Sequence, residues 1–315
     1  MLRAMDSAVA GLRAHQNKMD VIGHNLANVN TFGYKAQTYT FKEAVYQTST
    51  PSTGNASTDD EVRAGGTNAA QYGYGTLMGT IGMDMTASTP TQMSGLTAAI
   101  NGEGFYMTYS LAPEDGDTAE DLLGNAGGAG GTSSPKDLLW EYTRVGQFNL
   151  DSKGYLVDVT GKYVYGLKAD PDTGALKDAE PTGGYQLENL IAIRVPDGKK
   201  ADSVELDALG RVKVVVEEKP QVIGVLAIAT FQNPNGLTKS GGSYYHATES
   251  DNSGSIGVTS PGDMVELIPG YIEASNVDLA KEFAEMITTH RGFQANSKMI
   301  TVSDEMLSEL VSMKR

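Results

Sequence analysis

Leu2-Arg-Ala-Met5-Asp-Ser-Ala-Val9-Ala-Gly-Leu12 opens the chain, and Leu279-Ala-Lys-Glu-Phe283-Ala-Glu-Met286 begins a similar stretch near its end. The front pattern continues through Gln16, Met19, Gly23 and Leu26. The back pattern continues through His290, Phe293, Ser297, Ile300, Asp304, Leu307 and Val311. Alternating steps of three and four residues line these positions along one seam of an α-helix, as in helices that pack lengthwise on other helices. Two such seams at opposite ends of one chain predict an intrachain helix pair that stacks on its own copies. Neither polar face is rich in Lys or Arg, which argues against helices lying on a membrane.

Between the ends lie more than two hundred residues of turn-rich, acidic sequence. The 315-residue chain contains 37 glycines and 15 tyrosines, which suits a β-rich middle with many tight turns. It contains no cysteine, so disulfides, thiolate metal sites and cysteine nucleophiles are excluded. No run approaches the roughly 20 apolar residues of a membrane span. The N-terminus lacks the basic-then-apolar layout of a cleaved signal, so any export is expected without one. The ends are close to neutral, and residues 36–272 carry essentially all of the net charge of −15. Nucleic acid, which needs clustered Lys and Arg, is not an expected partner.

The first helix is expected from about Asp6, or from Leu2, to Ala27. It closes on Asn25, Asn28, Asn30 and Gly33, residues that tolerate a left-handed backbone. Residues 48–71, rich in Ser, Thr, Gly and Asn, read as a long loop. Strands are expected at 142–150, 155–159 and 163–167 as a meander, then at 191–195, 203–206, 211–216 and 222–231. Residues 110–137 read as a flexible excursion. The second long helix is expected from near Asn276, after Pro269-Gly270.

A search for chemistry returns little. The four histidines show no zinc spacing, and His290 falls on the seam. Asp170-Pro-Asp-Thr-Gly174 begins like a calcium loop, but its twelfth position is Pro181 instead of the glutamate such a loop needs. Gly154…Gly161-Lys162 lacks the spacing of a phosphate loop, and the glycines at 73, 75 and 79 are explained by strand-edge turns. No catalytic residue, cofactor site or metal site is assigned.

Several segments carry a resemblance. Leu26-Ala27-Asn28-Val-Asn30-Thr31-Phe-Gly33-Tyr34-Lys35 resembles the N-terminal signature of the axial proteins of the bacterial flagellum, the rod, hook and hook-associated proteins. Ser275-Asn276-Val-Asp-Leu279 and Arg291-Gly292-Phe293-Gln-Ala-Asn296-Ser297-Lys298 resemble its C-terminal signature. Ile100–Phe105, Tyr142–Phe148 and Phe231–Leu237 are similar to its core segments.

The resemblance implies an α+β fold. Terminal helices (1–30 and 273–315) pair as a coiled coil forming an inner domain. An extended linker or loop (31–71) leads to a mainly-β outer domain (72–272), with room for a small extra subdomain at about 168–216. It also implies a helical homopolymer in the extracellular hook or basal body of the flagellum, with no membrane insertion. The implied partners are the distal rod protein, the hook cap and hook–filament junction proteins, and the type III export apparatus. The 291–298 segment and Tyr39–Val45 are more similar to hook proteins, which implies a subunit of the curved tube that transmits torque from rod to filament. A distal rod subunit is the alternative. Outside the family, an acidic β-rich adhesion module is the competing reading, and it expects a defined monomer.

Overall fold

The computed structural model describes residues 2–54, 56–58, 61–64, 66–110, 140–170, 176, 190–195, 203–216, 219–248, 251–262 and 265–313. The expected excursion at 110–137 and most of 168–188 lie outside the described residues. The chain divides into two compact units. Met1–Val29, Ala36–Met83 and Val277–Arg315 form the first, and Asn30–Lys35 with Asp84–Asn276 form the second.

In the first unit, α1 (Leu2–Ala27) packs on α2 (Leu279–Met313). The α1 terminus is held by Asn28, whose backbone N–H donates to the Asn25 carbonyl at 3.1 Å and whose side chain donates to the His24 carbonyl at 2.9 Å. The start of α2 is set by Asp278, whose Oδ1 accepts the N–H groups of Ala280 at 2.9 Å and Lys281 at 3.3 Å. This N-cap satisfies donors that no helical carbonyl can reach, and it places the start after Asp278 instead of at Asn276.

Residues 37–45 and 75–83 are extended as expected, but 48–71, read as a loop, contain strands as well. β1 (Gln37–Glu43), β2 (Tyr46–Thr50), β3 (Ala56–Thr58), β4 (Glu61–Ala64), β5 (Ala70–Gly73) and β6 (Thr76–Met83) pair as nested antiparallel ladders, β1 with β6, β2 with β5 and β3 with β4. The ribbon is stitched by threonine pairs, Thr40 to Thr80 at 2.9 Å and Thr53 to Thr67 at 2.6 Å between hydroxyls. Threonine favours the extended backbone and pairs across strands without an apolar alternation, so the composition reads as loop while the backbone forms a ladder.

The second unit is a large, mainly antiparallel sheet assembly. Its strands are β7 (Pro90–Gln92), β8 (Leu96–Asn101), β9 (Phe105–Tyr109), β10 (Glu141–Thr143), β11 (Gln147–Leu150), β12 (Leu156–Asp158), β13 (Tyr163–Leu167), β14 (Leu190–Ala192), β15 (Ser203–Leu206), β16 (Arg211–Val216), β17 (Lys219–Leu226), β18 (Ile228–Phe231), β19 (Thr238–Gly241), β20 (Tyr244–His246), β21 (Ile256–Thr259), β22 (Glu266–Pro269) and β23 (Tyr271–Glu273). The main path runs β19-β20-β10-β9-β13-β12-β11-β8-β22, and β23 pairs with β7.

The expected meander is present as β11, β12 and β13. The single strand expected over 142–150 is instead two, interrupted at Arg144–Gly146. A side chain at Gly146 would collide with the Ala98 carbonyl, and Arg144 turns inward. The expected 222–231 strand is likewise split at Ala227 into β17 and β18. Tyr106, Phe148, Leu156, Val164, Leu226 and Ile228 centre the core. The buried Tyr106 hydroxyl donates to the Ala98 carbonyl at 2.9 Å, and its ring meets Phe148 edge-on at 5.1 Å.

Candidate assembly surface

The two helices run antiparallel. A Cβ on Gly11 would lie 2.6 Å from the Asn296 amide, a Cβ on Gly292 would lie 2.7 Å from the His15 ring, and Asn25 bonds Glu282. Lys18 pairs with Glu285 at 3.1 Å between them. A side chain at either glycine would have to displace the Asn296 amide or the His15 ring. Burial pushes the His15 imidazole below its ordinary pKa, with the nearby Lys18 charge adding to the effect.

The buried positions of the helices are Ala8, Gly11, Ala14, Val21, Ile22 and Asn25 on α1, and Glu282, Thr289 and Ser303 on α2. Ala8, Gly11, Asn25, Glu282, Thr289 and Ser303 each immediately precede an expected seam residue. The helices therefore bury mostly small and polar groups, one position back from the apolar seam.

The seam itself is only partly covered. Met5, Leu12, Met19, Leu26, Met286, Phe293, Ile300 and Leu307 are half-buried, and Val9, Leu279, Phe283 and Val311 are exposed. The Leu2 side chain lies outside the described residues. Phe283 is 48% exposed and its neighbour on the same face, Ile287, 57%. Water-exposed side chains of this size on one helix face mark an interaction surface. The β-ribbon adds Phe41, Val45, Tyr46, Tyr72, Leu77, Met78 and Ile81, all exposed.

Asn25 is the structural hinge-pin of the first unit. Its Nδ2 donates to the Gln37 carbonyl at 2.8 Å and to Glu282 Oε1 at 3.1 Å, and its Oδ1 accepts the Gln37 N–H at 2.9 Å. One buried side chain thus joins the end of α1, the start of β1 and the first turn of α2. Burial holds the Glu282 carboxyl above its usual pKa, partly offset by the Asn25 bond. Asn25→Ala leaves Gln37 unpaired and is expected to destabilise this unit by about 2–3 kcal/mol. Thermal melts followed by helical circular dichroism will show it.

The signature residues divide between the two units. Ala27 and Asn28 close α1; Arg291, Gly292, Phe293, Asn296 and Ser297 lie in the middle of α2. Asn30, Thr31, Gly33, Tyr34 and Lys35 belong to the second unit, where Asn30 and Thr31 are exposed and Gly33, Tyr34 and Lys35 are buried. Gly33 has φ +65°, a left-handed backbone that brings it against Val145.

Lys35 enters a fully buried charge cluster. Its Nζ donates to Glu273 Oε1 and to the Thr86 carbonyl, both at 2.7 Å. Arg144 Nε donates to Glu273 Oε2 at 2.6 Å, and its remaining nitrogens reach the carbonyls of Gly104 at 3.1 Å and Gly102 at 2.9 Å. The Ser88 N–H adds a bond to Glu273 Oε1 at 3.2 Å. Gly33 N–H donates to the Glu273 carbonyl at 2.9 Å, Ser88 Oγ to the Ser275 carbonyl at 2.9 Å, and the Asn276 side chain to the Asp84 carbonyl at 2.8 Å. Three distant segments, at 30–35, 84–88 and 273–276, are thereby lashed together.

Lys35 and Arg144 lie in segments that resemble the family's, but neither Arg144 nor Glu273 is marked by the sequence as a site residue. The available signal was a lone arginine among apolar and glycine neighbours, Tyr142-Thr-Arg144-Val-Gly146.

Burial, with the Arg144 charge beside it, holds the Lys35 amine below its ordinary pKa, opposed by Glu273. Lys239, whose Nζ donates to the Lys35 carbonyl at 2.9 Å over the Tyr34 ring, is pushed down by burial to about 8. An unfolded lysine titrates near 10.4. Between these values the unfolded chain holds more protons than the folded one, so stability rises with pH across that window. Urea unfolding at pH 7.5 and 9.5 should show this rise, and Lys239→Met should reduce it.

Among the described residues no cluster of His, Asp or Glu is arranged to hold a metal ion. No helix there is long and apolar enough to cross a membrane.

Comparison with known proteins addresses both ends and the whole chain. Residues 5–35 match the family described as flagella basal body rod protein, and residues 268–313 match flagellar basal body rod FlgEFG protein C-terminal. The flagellar basal-body rod protein FlgG of Bacillus subtilis is 38% identical over 320 aligned positions covering 100% of both chains. FlgG of Caulobacter vibrioides is 29% identical, covering 97% of each chain. The flagellar hook protein FlgE of Borreliella burgdorferi is 26% identical over 449 aligned positions. With rod signatures at both termini and a rod protein alignable from end to end, this chain belongs to the flagellar rod and hook protein family.

Proposed function

We propose that the chain is the structural subunit of the distal flagellar rod, polymerising with its own copies and joining neighbouring rod and hook proteins. The carrying observation is the pairing of α1 and α2 through small and polar residues, which leaves Leu279, Phe283, Ile287, Leu310 and Val311 exposed on one 35-residue helix. Removing such side chains from water stabilises association by about 25 cal/mol for each Å² buried, and equivalent seams on other copies are the matching surface.

Length supports rod over hook. The rod relatives align nearly residue for residue, whereas the hook relative needs 449 aligned positions against a chain of 315, so a long stretch of it has no counterpart. The hook-like Arg291-Gly292-Phe293 has a local explanation, because Gly292 admits the His15 ring. Electron microscopy of the purified chain after concentration tests the reading. Straight tubes are the expected product, curved tubes would restore the hook assignment, and a monomer at every concentration would overturn both.

A further inference from the structure

Asn101-Gly102 and Asn235-Gly236 are the two Asn-Gly pairs of the chain, and the fold treats them differently. The first lies in the turn from β8 to β9, where both residues are exposed and Gly102 has φ +136°, a backbone that residues with a side chain rarely adopt. The second lies in a short 3₁₀ helix, Pro234–Gly236. There the Gly236 N–H donates to the Asn233 carbonyl at 3.1 Å, and a Cβ on Gly236 would lie 2.3 Å from the Asn252 carbonyl carbon. The β8–β9 turn is also wrapped on Arg144. Its Nη2 donates to the Gly102 carbonyl at 2.9 Å and its Nη1 to the Gly104 carbonyl at 3.1 Å, while its Nε holds Glu273. Directly across the ladder from Asn101 stands the exposed Glu266 of β22.

We infer that Asn101 is a deamidation site whose conversion loosens the Lys35–Glu273–Arg144 cluster. The backbone nitrogen of Gly102, uncrowded by any Cβ on its own residue, attacks Asn101 Cγ. A C–N bond forms as the Cγ–Nδ2 bond breaks, and the departing nitrogen takes the proton of the attacking N–H and leaves as ammonia. Water then opens the cyclic imide. Opening at Cγ gives aspartate, and opening at the backbone carbonyl gives isoaspartate, whose main chain runs through Cγ. Aspartate sets a carboxylate opposite Glu266, and like charges directly across a ladder repel. Isoaspartate lengthens the backbone by a methylene just before Gly102, which draws its carbonyl off Arg144 and leaves a guanidinium donor unpaired. Asn235 is spared, because the Gly236 N–H must first leave its carbonyl and the helical turn must open.

The test uses the full chain, held native in mildly alkaline buffer beside a sample unfolded in urea. Peptide mass spectrometry follows the mass gain of amide hydrolysis at each asparagine, and an isoaspartyl methyltransferase labels isoaspartate. In urea both sites should convert alike. In the native chain Asn101 should convert at least about tenfold faster than Asn235, since only the Gly236 turn has to open first. Chain converted at Asn101 should unfold at a lower urea concentration than fresh chain, read by the fluorescence of Trp140 in the same unit. Asn101→Gln should keep its midpoint through the same incubation, and fresh Asn101→Asp should lie between fresh and aged wild type. Native chain that keeps the Asn101 amide, or that loses Asn101 and Asn235 at equal rates, overturns the inference. So does conversion that leaves the urea midpoint unmoved, or an Asn101→Gln chain that loses as much stability on ageing.

Discussion

Glu273→Gln will destabilise the second unit by about 3–5 kcal/mol, the largest single-residue effect expected on its stability. The carboxylate accepts from Lys35, from Arg144 and from the Ser88 N–H, and all three side chains of the cluster are nearly inaccessible to water. Glutamine keeps the volume and removes the charge, leaving two buried cations facing each other. Desolvation that the intact cluster offsets then stands uncompensated. Lys35→Met should cost less, since Arg144 still neutralises Glu273 through the 2.6 Å contact. Trp140, the chain's one tryptophan, is buried in this unit and reports its unfolding by fluorescence in urea. Equal stability of Glu273→Gln and wild type would mean that water reaches the cluster.

Phe283→Asp will abolish polymerisation while leaving the second unit folded. Its ring is nearly half exposed in the isolated chain, so an aspartate there costs the subunit little. In a polymer seam the same carboxylate would be buried without a cation, a penalty of several kcal/mol repeated at each subunit. A rise in critical concentration of more than a hundredfold is expected by light scattering, with Trp140 fluorescence unchanged. Leu12→Asp, on the corresponding seam of α1, should act in the same direction. Normal assembly of both variants would remove the seam from the assembly surface.

Both helices were legible because their signal is local. Side chains three and four residues apart share a face whatever surrounds them, and on α2 that seam joins the exposed Leu279, Phe283 and Val311 to the half-buried Met286, Phe293, Ile300 and Leu307. The face by which the helices meet was not legible, because Ala8, Gly11, Thr289, Gly292 and Ser303 add nothing to an apolar pattern. Their contribution is smallness, which lets the helices approach. The outer strands of the β-ribbon, β1 and β6, were legible as extended sequence at 37–45 and 75–85; its middle, 48–71, escaped for a related reason, since threonine ladders form without hydrophobic alternation. The charge cluster was the least accessible. Lys35 and Glu273 are 238 positions apart, and nothing in either neighbourhood names the other. The hook resemblance rests on 291–298, on Tyr39–Val45 and on a length that also suits short hook proteins, whereas the rod relatives align with the chain from end to end and Gly292 answers to a histidine ring across the helix pair.

The lashing of residue 35 to residue 273 has a bearing on how the molecule is made. A growing polypeptide leaving the ribosome carries Lys35 early and Glu273 only near the end of translation, and α2, the helical partner of α1, emerges later still. Closing a loop of that length costs about 5 kcal/mol of chain entropy, which only the last-made segments can repay. The nascent chain is thus held short of its final form until synthesis is almost finished.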